Sequence, residues 1–343
     1  MIKDQEYKFG DFTYQLINEN HNVIHPEKEP QSFFKYYSID KYKIDALLKN
    51  YIYTTHPYSF NDSIDSSELL LDFKNISKER YFSFFQRVVK PNELQNWDLE
   101  KIYDTDKNDS YSYIRNFFYQ YFTRSLGLIS LTTQPLNILM WSHYANEDGF
   151  VIELDKESLL EDIGKLNNDV KNYCLRPVQY VDNLVRIDMF QENFTTPDIP
   201  FLYMTTVKRT EWKYEDEWRL SIYKSTMDLP QSFLLPGSTD IKGENERKLY
   251  YSKTTLKSII LGKYFFNGRN CIQLNPDSSF TLKTTDFLDF VNHIFENYND
   301  RIYMSGELES GNSFNRSVEK IELEKIDWNI FRIVPKGEGF YKK

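Results

Sequence analysis

At 343 residues with 42 basic and 51 acidic side chains, the chain carries a formal charge of −9, which excludes a protein whose affinity comes from general attraction to nucleic acid phosphates. A composition that is 40% hydrophobic and 27% charged is that of a soluble globular protein with a sizeable core, and no apolar run nears the roughly 18 residues of a membrane span. Cys174 and Cys271 form no CxxC pair and the five histidines no HExxH pattern, so a disulfide framework and a zinc site are not expected; the opening MIKDQEYKFG, without a signal-peptide apolar region, points to a reducing cytoplasm.

In chain order, residues 1–30 contain a hairpin, YKFGDFTYQLI, turning at Gly10 and Asp11, and then a polar stretch closed by Pro26 and Pro30. They are read as an N-terminal extension. SFFKYYS is a short strand, and Asp40 caps a helix, KYKIDALLKN, with Ile44, Leu47 and Leu48 on one face. YIYTTH is the next strand and ends in the turn PYSFNDSIDS. There Asn61, Asp62 and Asp65 stand among Ser59, Ser63 and Ser66, as Asx turns and caps require or as one wall of a pocket at a strand end.

Residues 67–125 read as a helical insertion in the position of a lid, with ERYFSFFQRVV and YSYIRNFFYQYFTRSL separated by DTDKND; aromatics at helical spacing mark core. Next, LGLIS is a strand ending in Thr132 and Thr133, Pro135 sets a turn, ILMWSHYA is helical, and Gly149 releases the chain into the strand FVIEL. Trp141 and Tyr144 are core by default. His143 lies roughly opposite Trp141 on the helical wheel, as a hydrogen-bonded structural residue or as a site group.

A polar helix over 156–169, a strand LRPVQYVD, an irregular TTPDIP and a helix FLYMTTVKRTE lead into a strand from Tyr214. Alternation along it puts Tyr214, Asp216, Trp218, Leu220 and Ile222 on one face and Glu215, Glu217, Arg219 and Ser221 on the other. Carboxylates two apart on a strand face sit about 7 Å from each other. Beside a cation, such a column can hold a sugar hydroxyl or steady a cationic transition state; the alternative is a solvated face with neighbouring ion pairs. After Pro230 comes a turn-rich loop (Pro236, Gly237, Gly243), then KLYYSK and a buried strand in LKSIILGKYF ending at Gly262. The last sixty residues suggest one helix, TLKTTDFLDFVNHIF, and one or two strands within IELEKIDWNIFRIV. There is no internal repeat, low-complexity segment or glycine-rich phosphate loop. The expected organisation is a single α+β core over 31–265 including the insertion, with 266–343 packed on it as a C-terminal extension.

FFKYYSID, SFNDSIDS, ISLTTQPLNILMWSHYANEDGFVIELD, VQYVD, VKRTEWKYEDEWRL and LKSIILG, in that order, resemble the bacterial family called domain of unknown function 2971, over roughly Phe33 to Lys263. Two positions depart from it: Ser63 stands where the family has proline, and Asp148 where it has histidine. The order of elements is also similar to that of ADP-ribosyltransferases, which implies an α+β fold with a split or paired antiparallel-rich sheet and NAD, as substrate, in the cleft. That bond breaks through an oxocarbenium-like transition state, so a carboxylate on the ribose hydroxyl and a stacked aromatic are the expected tools. By this resemblance Glu217 is the catalytic carboxylate, Glu215 orients the acceptor and His143 joins them. Tyr36 or Tyr37 stacks on nicotinamide, and Arg219 or Lys208 faces the phosphates. Asn61, Asp62, Trp141 and Tyr144 complete the NAD-binding set.

The implied protein is a cytoplasmic transferase or NAD glycohydrolase without a metal, acting as a toxin or phage-defence effector on a protein or nucleic acid acceptor, as a monomer or homo-oligomer. Two other readings stay open. One is a hydrolase or nuclease holding magnesium on Asp62, Asp65, Glu215 and Glu217. The other is a non-catalytic binding module presenting Trp141, His143 and Tyr144.

Overall fold

The structure is a computed structural model and describes residues 5–17, 20–23, 29–190, 199–230, 233, 246–266, 271–310 and 313–337. Pro26, most of TTPDIP and the loop carrying Pro236, Gly237 and Gly243 lie outside the described residues. The chain is mixed α/β, built on one eleven-stranded sheet. From one edge its strands are Cys271–Leu274, Ser279–Leu282, Ile330–Pro335, Ser313–Asp327, Ile302–Ser310, Leu256–Leu261, Phe150–Asp155, Ser32–Tyr37, Leu126–Thr132, Glu217–Lys224 and Val170–Pro177. Neighbours are antiparallel, except that Leu256–Leu261 runs parallel to Ile302–Ser310. The strands after residue 266 therefore continue the same sheet. Phe287, Ile294, Ile321 and Phe331 share one apolar core with Phe33, Ile152 and Leu220.

The sheet opens at its middle. Ser32–Tyr37 pairs along its full length with Phe150–Asp155 but meets Leu126–Thr132 only through Phe34 and Thr132. Beyond that point Thr55 takes the partner's place, exchanging both backbone hydrogen bonds with Leu128 at 2.8 Å. Buried backbone groups need partners, so the inserted Thr55 satisfies one lip of the seam while leaving the two strands apart.

A second apolar core forms from the insertion, whose helices are Lys78–Val88, Pro91–Leu94, Leu99–Asn108 and Ser112–Thr123. Ser77 and Asp98 cap two of them through their side chains. Tyr81, Phe84, Phe85 and Phe118 pack there with Tyr7, Phe9, Phe12 and Tyr14 of the N-terminal hairpin. The hairpin turns at Gly10, φ 60°, as its sequence requires. The hairpin thus packs on the insertion's core.

Local signals account for much of the frame around the seam. Asp40 accepts from the N–H groups of Tyr42 and Lys43, both at 3.0 Å, and starts the helix Lys41–Leu48. Trp141–Ala145 is a π-helical turn, closed by Asn146 and Glu147 in left-handed conformation (φ 51° and 60°). Gly149 follows because a Cβ there would overlap the carbonyl oxygens of Tyr37 and Ala145. Glu147 is held bidentately by Arg316, which also covers the Trp141 ring at 4.7 Å. The C-terminal strand pair is thereby fastened to this turn. Among the described residues no helix is long and apolar enough to cross a membrane.

The segment before Trp218 differs from the expected strand. The helix Ile199–Thr206 stops early, Val207–Arg209 pairs in parallel with Gln179–Val181, and Thr210–Glu215 is a 3-10 turn. Asp216 is left-handed at φ 43° and the strand begins only at Glu217. The left-handed residue breaks the alternation, so Glu215 does not share a strand face with Glu217. It is anchored instead by the Thr132 hydroxyl, which donates to its carbonyl at 2.5 Å.

Candidate active site

A cavity of about 450 Å³ lies at the open seam. Its walls come from Phe34, Lys35 and Tyr36, from the Thr55–Asp65 turn, from Ser130–Thr132 and from Tyr144; Lys208, Glu215 and Glu217 reach it from the segment before Trp218. The face predicted as a column of carboxylates and a cation is not solvated: Glu215, Glu217 and Arg219 are 4%, 3% and 1% exposed. Charges so buried must be paired and hydrogen-bonded.

Arg219 meets that demand with two forks. Its Nη1 and Nη2 donate to Asp65 at 2.7 and 2.6 Å, and its Nε and Nη2 to Glu217 at 2.8 and 3.0 Å. Ser66 Oγ and the Thr205 carbonyl also accept from Nη1, both at 3.0 Å, and the guanidinium lies 5.0 Å from the Phe60 ring centre. Lys208 adds the second cation: its Nζ is 2.5 Å from Glu215, 3.3 Å from Glu217 and 3.6 Å from Asp65. It also lies over the Trp212 ring at 4.7 Å.

The two glutamates differ in consequence. Burial works to raise the Glu217 carboxyl, but Arg219 and Lys208 overcome it and hold the group ionised, down to about 2. Glu217 accepts from Arg219 twice, from Lys208 and from Ser130, which fills the roughly four acceptor sites of a carboxylate. Glu215 is pushed upward instead, by burial and by the negative charge of Glu217. It accepts from Tyr144 Oη on one oxygen and from Lys208 on the other, both at 2.5 Å. Each of its oxygens therefore keeps acceptor capacity. The Tyr180 hydroxyl accepts from the Glu217 backbone N–H at 2.8 Å and fixes the start of the strand.

Tyr36, Asn61, Tyr144, Lys208, Glu215 and Glu217 are brought together at this cavity. Tyr36 donates its hydroxyl to the Gln134 carbonyl at 2.7 Å, and the Asn61 side chain hydrogen-bonds Tyr144. Others of the expected set stand elsewhere. Arg219, expected to face the phosphates, is buried and spends its guanidinium on Asp65 and Glu217. Tyr37 stacks on Phe150 at 5.1 Å, in the core beside the seam. Trp141 is fully buried, donating Nε1 to the Pro135 carbonyl at 2.9 Å and meeting the Tyr36 ring edge-on at 5.4 Å. Its side chain is enclosed and packs against Tyr36. His143 is exposed outside the cavity, 6.4 Å from the Tyr214 ring.

Asp62 accepts from the Ile64 N–H at 3.0 Å and lines a separate shallow cleft with Asn61, Arg209, Trp212 and Tyr214. The four carboxylates proposed to hold magnesium are thus not one group. Asp65, Glu215 and Glu217 are paired with Lys208 and Arg219.

Lys35 escaped the sequence reading. Half-buried in the seam, it donates to the Ser130 carbonyl at 3.1 Å and has no carboxylate within ion-pair distance among the described residues. Burial drives its ammonium down to about 8, against the pull of Glu217 and assisted by Lys43. A signal was present: Phe33, Lys35 and Tyr37 alternate on one strand, and a lysine between two core aromatics needs a reason. The role of Asp65 as counter-ion had no such local signal.

No curated protein and no solved structure matches the chain. Residues 140–220, which run from the π-helical turn to the paired strand and include Tyr144, Lys208, Glu215, Glu217 and Arg219, match the family model described as protein of unknown function (DUF2971).

Proposed function

We propose that the seam cavity cleaves the N-glycosidic bond of NAD, passing ADP-ribose to an acceptor or to water. The observation that carries this reading is a carboxylate pair of unequal state on the floor of an open seam. Glu217 is locked ionised by Arg219, and Glu215 beside it keeps acceptor capacity and a raised pKa. The bond from C1′ to the nicotinamide nitrogen breaks with its electron pair leaving on the ring, and the ribose carbon takes on positive charge. Fixed negative charge within a few ångströms favours that state. Glu215 accepts a ribose hydroxyl, Tyr144 holds Glu215 in place, and the acceptor bonds to C1′ while giving its proton to Glu215. This assignment moves the reacting role to Glu215 and makes Glu217 its electrostatic support. Tyr36 is the aromatic beside the leaving ring.

The test is nicotinamide release from NAD by purified protein, with wild type compared to Glu215→Gln in the presence and absence of a chelator. Wild type is expected to release nicotinamide regardless of chelator, and Glu215→Gln to lose at least about 10²-fold. Wild-type protein that leaves NAD intact with every acceptor class offered, water included, would sink the proposal.

A further inference from the structure

We infer that a second chamber, adjoining the first, is a binding site for a nucleoside diphosphate. It is a bowl of about 790 Å³ between the strand Ser32–Tyr37, the helix Lys41–Leu48 and the strand Tyr51–Tyr53, and Lys35, Tyr36, Lys43 and Thr55 line both chambers. Lys35 therefore stands on the wall the two spaces share. The bowl gathers four lysines, Lys35, Lys41, Lys43 and Lys248, against two carboxylates, Asp40 and Asp45. Lys43 is tied to Asp40 at 2.6 Å and Lys248 lies 3.9 Å from Asp45. Lys35 and Lys41 have no carboxylate within ion-pair distance among the described residues, Lys41 lying over the Tyr42 ring at 4.7 Å, so the excess charge stands where the chambers meet and at the rim. In a chain with a formal charge of −9, a bowl of that sign selects an anion.

The remaining walls select an aromatic. Tyr42 and Tyr53 are 57% and 37% exposed at the bowl, and exposed tyrosine rings beside cations are what a nucleobase with attached phosphates stacks and pairs on. A ligand with its base on these rings and its phosphates at Lys35 and Lys43 has its far end directed into the carboxylate chamber. The inference rests on the proposed glycosidic function only in that both chambers serve one ligand; binding is read without turnover.

The experiment is calorimetric titration of the full chain with ADP, adenosine and inorganic pyrophosphate, repeated for Lys35→Met and Tyr42→Ala. ADP is expected to bind wild type at least tenfold more tightly than either adenosine or pyrophosphate does. Lys35→Met and Tyr42→Ala are each expected to weaken ADP by about tenfold, with thermal melting checking that each variant folds. Tyr42 is an exposed ring, so its removal keeps the test available should Lys35→Met not fold. Absence of ADP binding overturns the inference, as does equal affinity for adenosine or for pyrophosphate, or ADP affinity unchanged in both variants. If ADP binds as described and NAD is not cleaved, the glycosidic proposal fails and this site stands.

Discussion

Arg219→Met tests the central construction of the site. The side chain keeps its length and loses its charge and its donors, so Asp65, Glu215 and Glu217 remain buried against Lys208 alone. Breaking a buried pair from one side costs about 3–5 kcal/mol. The titration of Glu217 points the same way. Its carboxyl is held at about 2 against an ordinary 4.5, with Arg219 the largest favourable cause opposing burial, and that difference corresponds to about 3 kcal/mol. A depressed acid stabilises the fold fully above 4.5 and loses that contribution as pH falls toward 2. Without Arg219 the burial that works to raise Glu217 is opposed by less positive charge, so protonation in acid relieves part of the cost. Urea unfolding followed by tryptophan fluorescence at pH 7 and pH 4 measures both effects. The expected gap from wild type is about 3–5 kcal/mol at pH 7, clearly smaller at pH 4, with Arg219→Lys between the two because it keeps charge without the forks. A gap under about 1 kcal/mol at pH 7, or one that does not change with pH, would refute charge pairing as what holds the site together.

His56 supplies a pH-dependent prediction elsewhere. It is 1% exposed and its Nδ1 accepts from the Tyr58 N–H at 3.1 Å; burial, then Arg247, lowers its pKa to about 3 from 6.5. The unfolded chain therefore binds the proton first, and stability should fall by about 2 kcal/mol between pH 7 and pH 5. Urea midpoints at the two pH values read this, and His56→Asn is expected to flatten the slope, with His293, also lowered by burial, leaving a smaller residue of it. Gly149→Ala should lower stability by about 3 kcal/mol, because the clashing atoms are the carbonyl oxygens of Tyr37 and Ala145; melting within 1 °C of wild type would show that the turn has room. Trp141→Ala should cost about 3–5 kcal/mol and displace Tyr36, against which the indole packs. Trp141→Phe, by circular dichroism and ligand binding together, should retain most of both.

Much of the frame is legible in local patterns, since caps, turns and periodicity act within a few residues. The Gly10–Asp11 hairpin, the Asp40 cap, the aromatic insertion helices and the turn into Gly149 follow from short-range sterics and hydrogen bonding. The grouping of Glu215 and Glu217 with Arg219 was visible as charged residues near in sequence, whereas Lys208, expected to face the phosphates, instead pairs with both glutamates. Their geometry was not, because one left-handed residue, Asp216, ended an alternation that composition alone would have continued.

What the tertiary structure decided is which distant groups share a space. Asp65 and Arg219 are 154 residues apart and form a bidentate pair only because the turn before the insertion folds over the strand Glu217–Lys224. Thr55 holds the seam open by replacing a strand partner at Leu128, and the strands after residue 266 extend a sheet begun near residue 32. Residue type and spacing determine local conformation and the chemistry each side chain carries. Burial, counter-ions and the state of each carboxylate depend on contacts between remote segments, and those exist only once the chain has closed on itself.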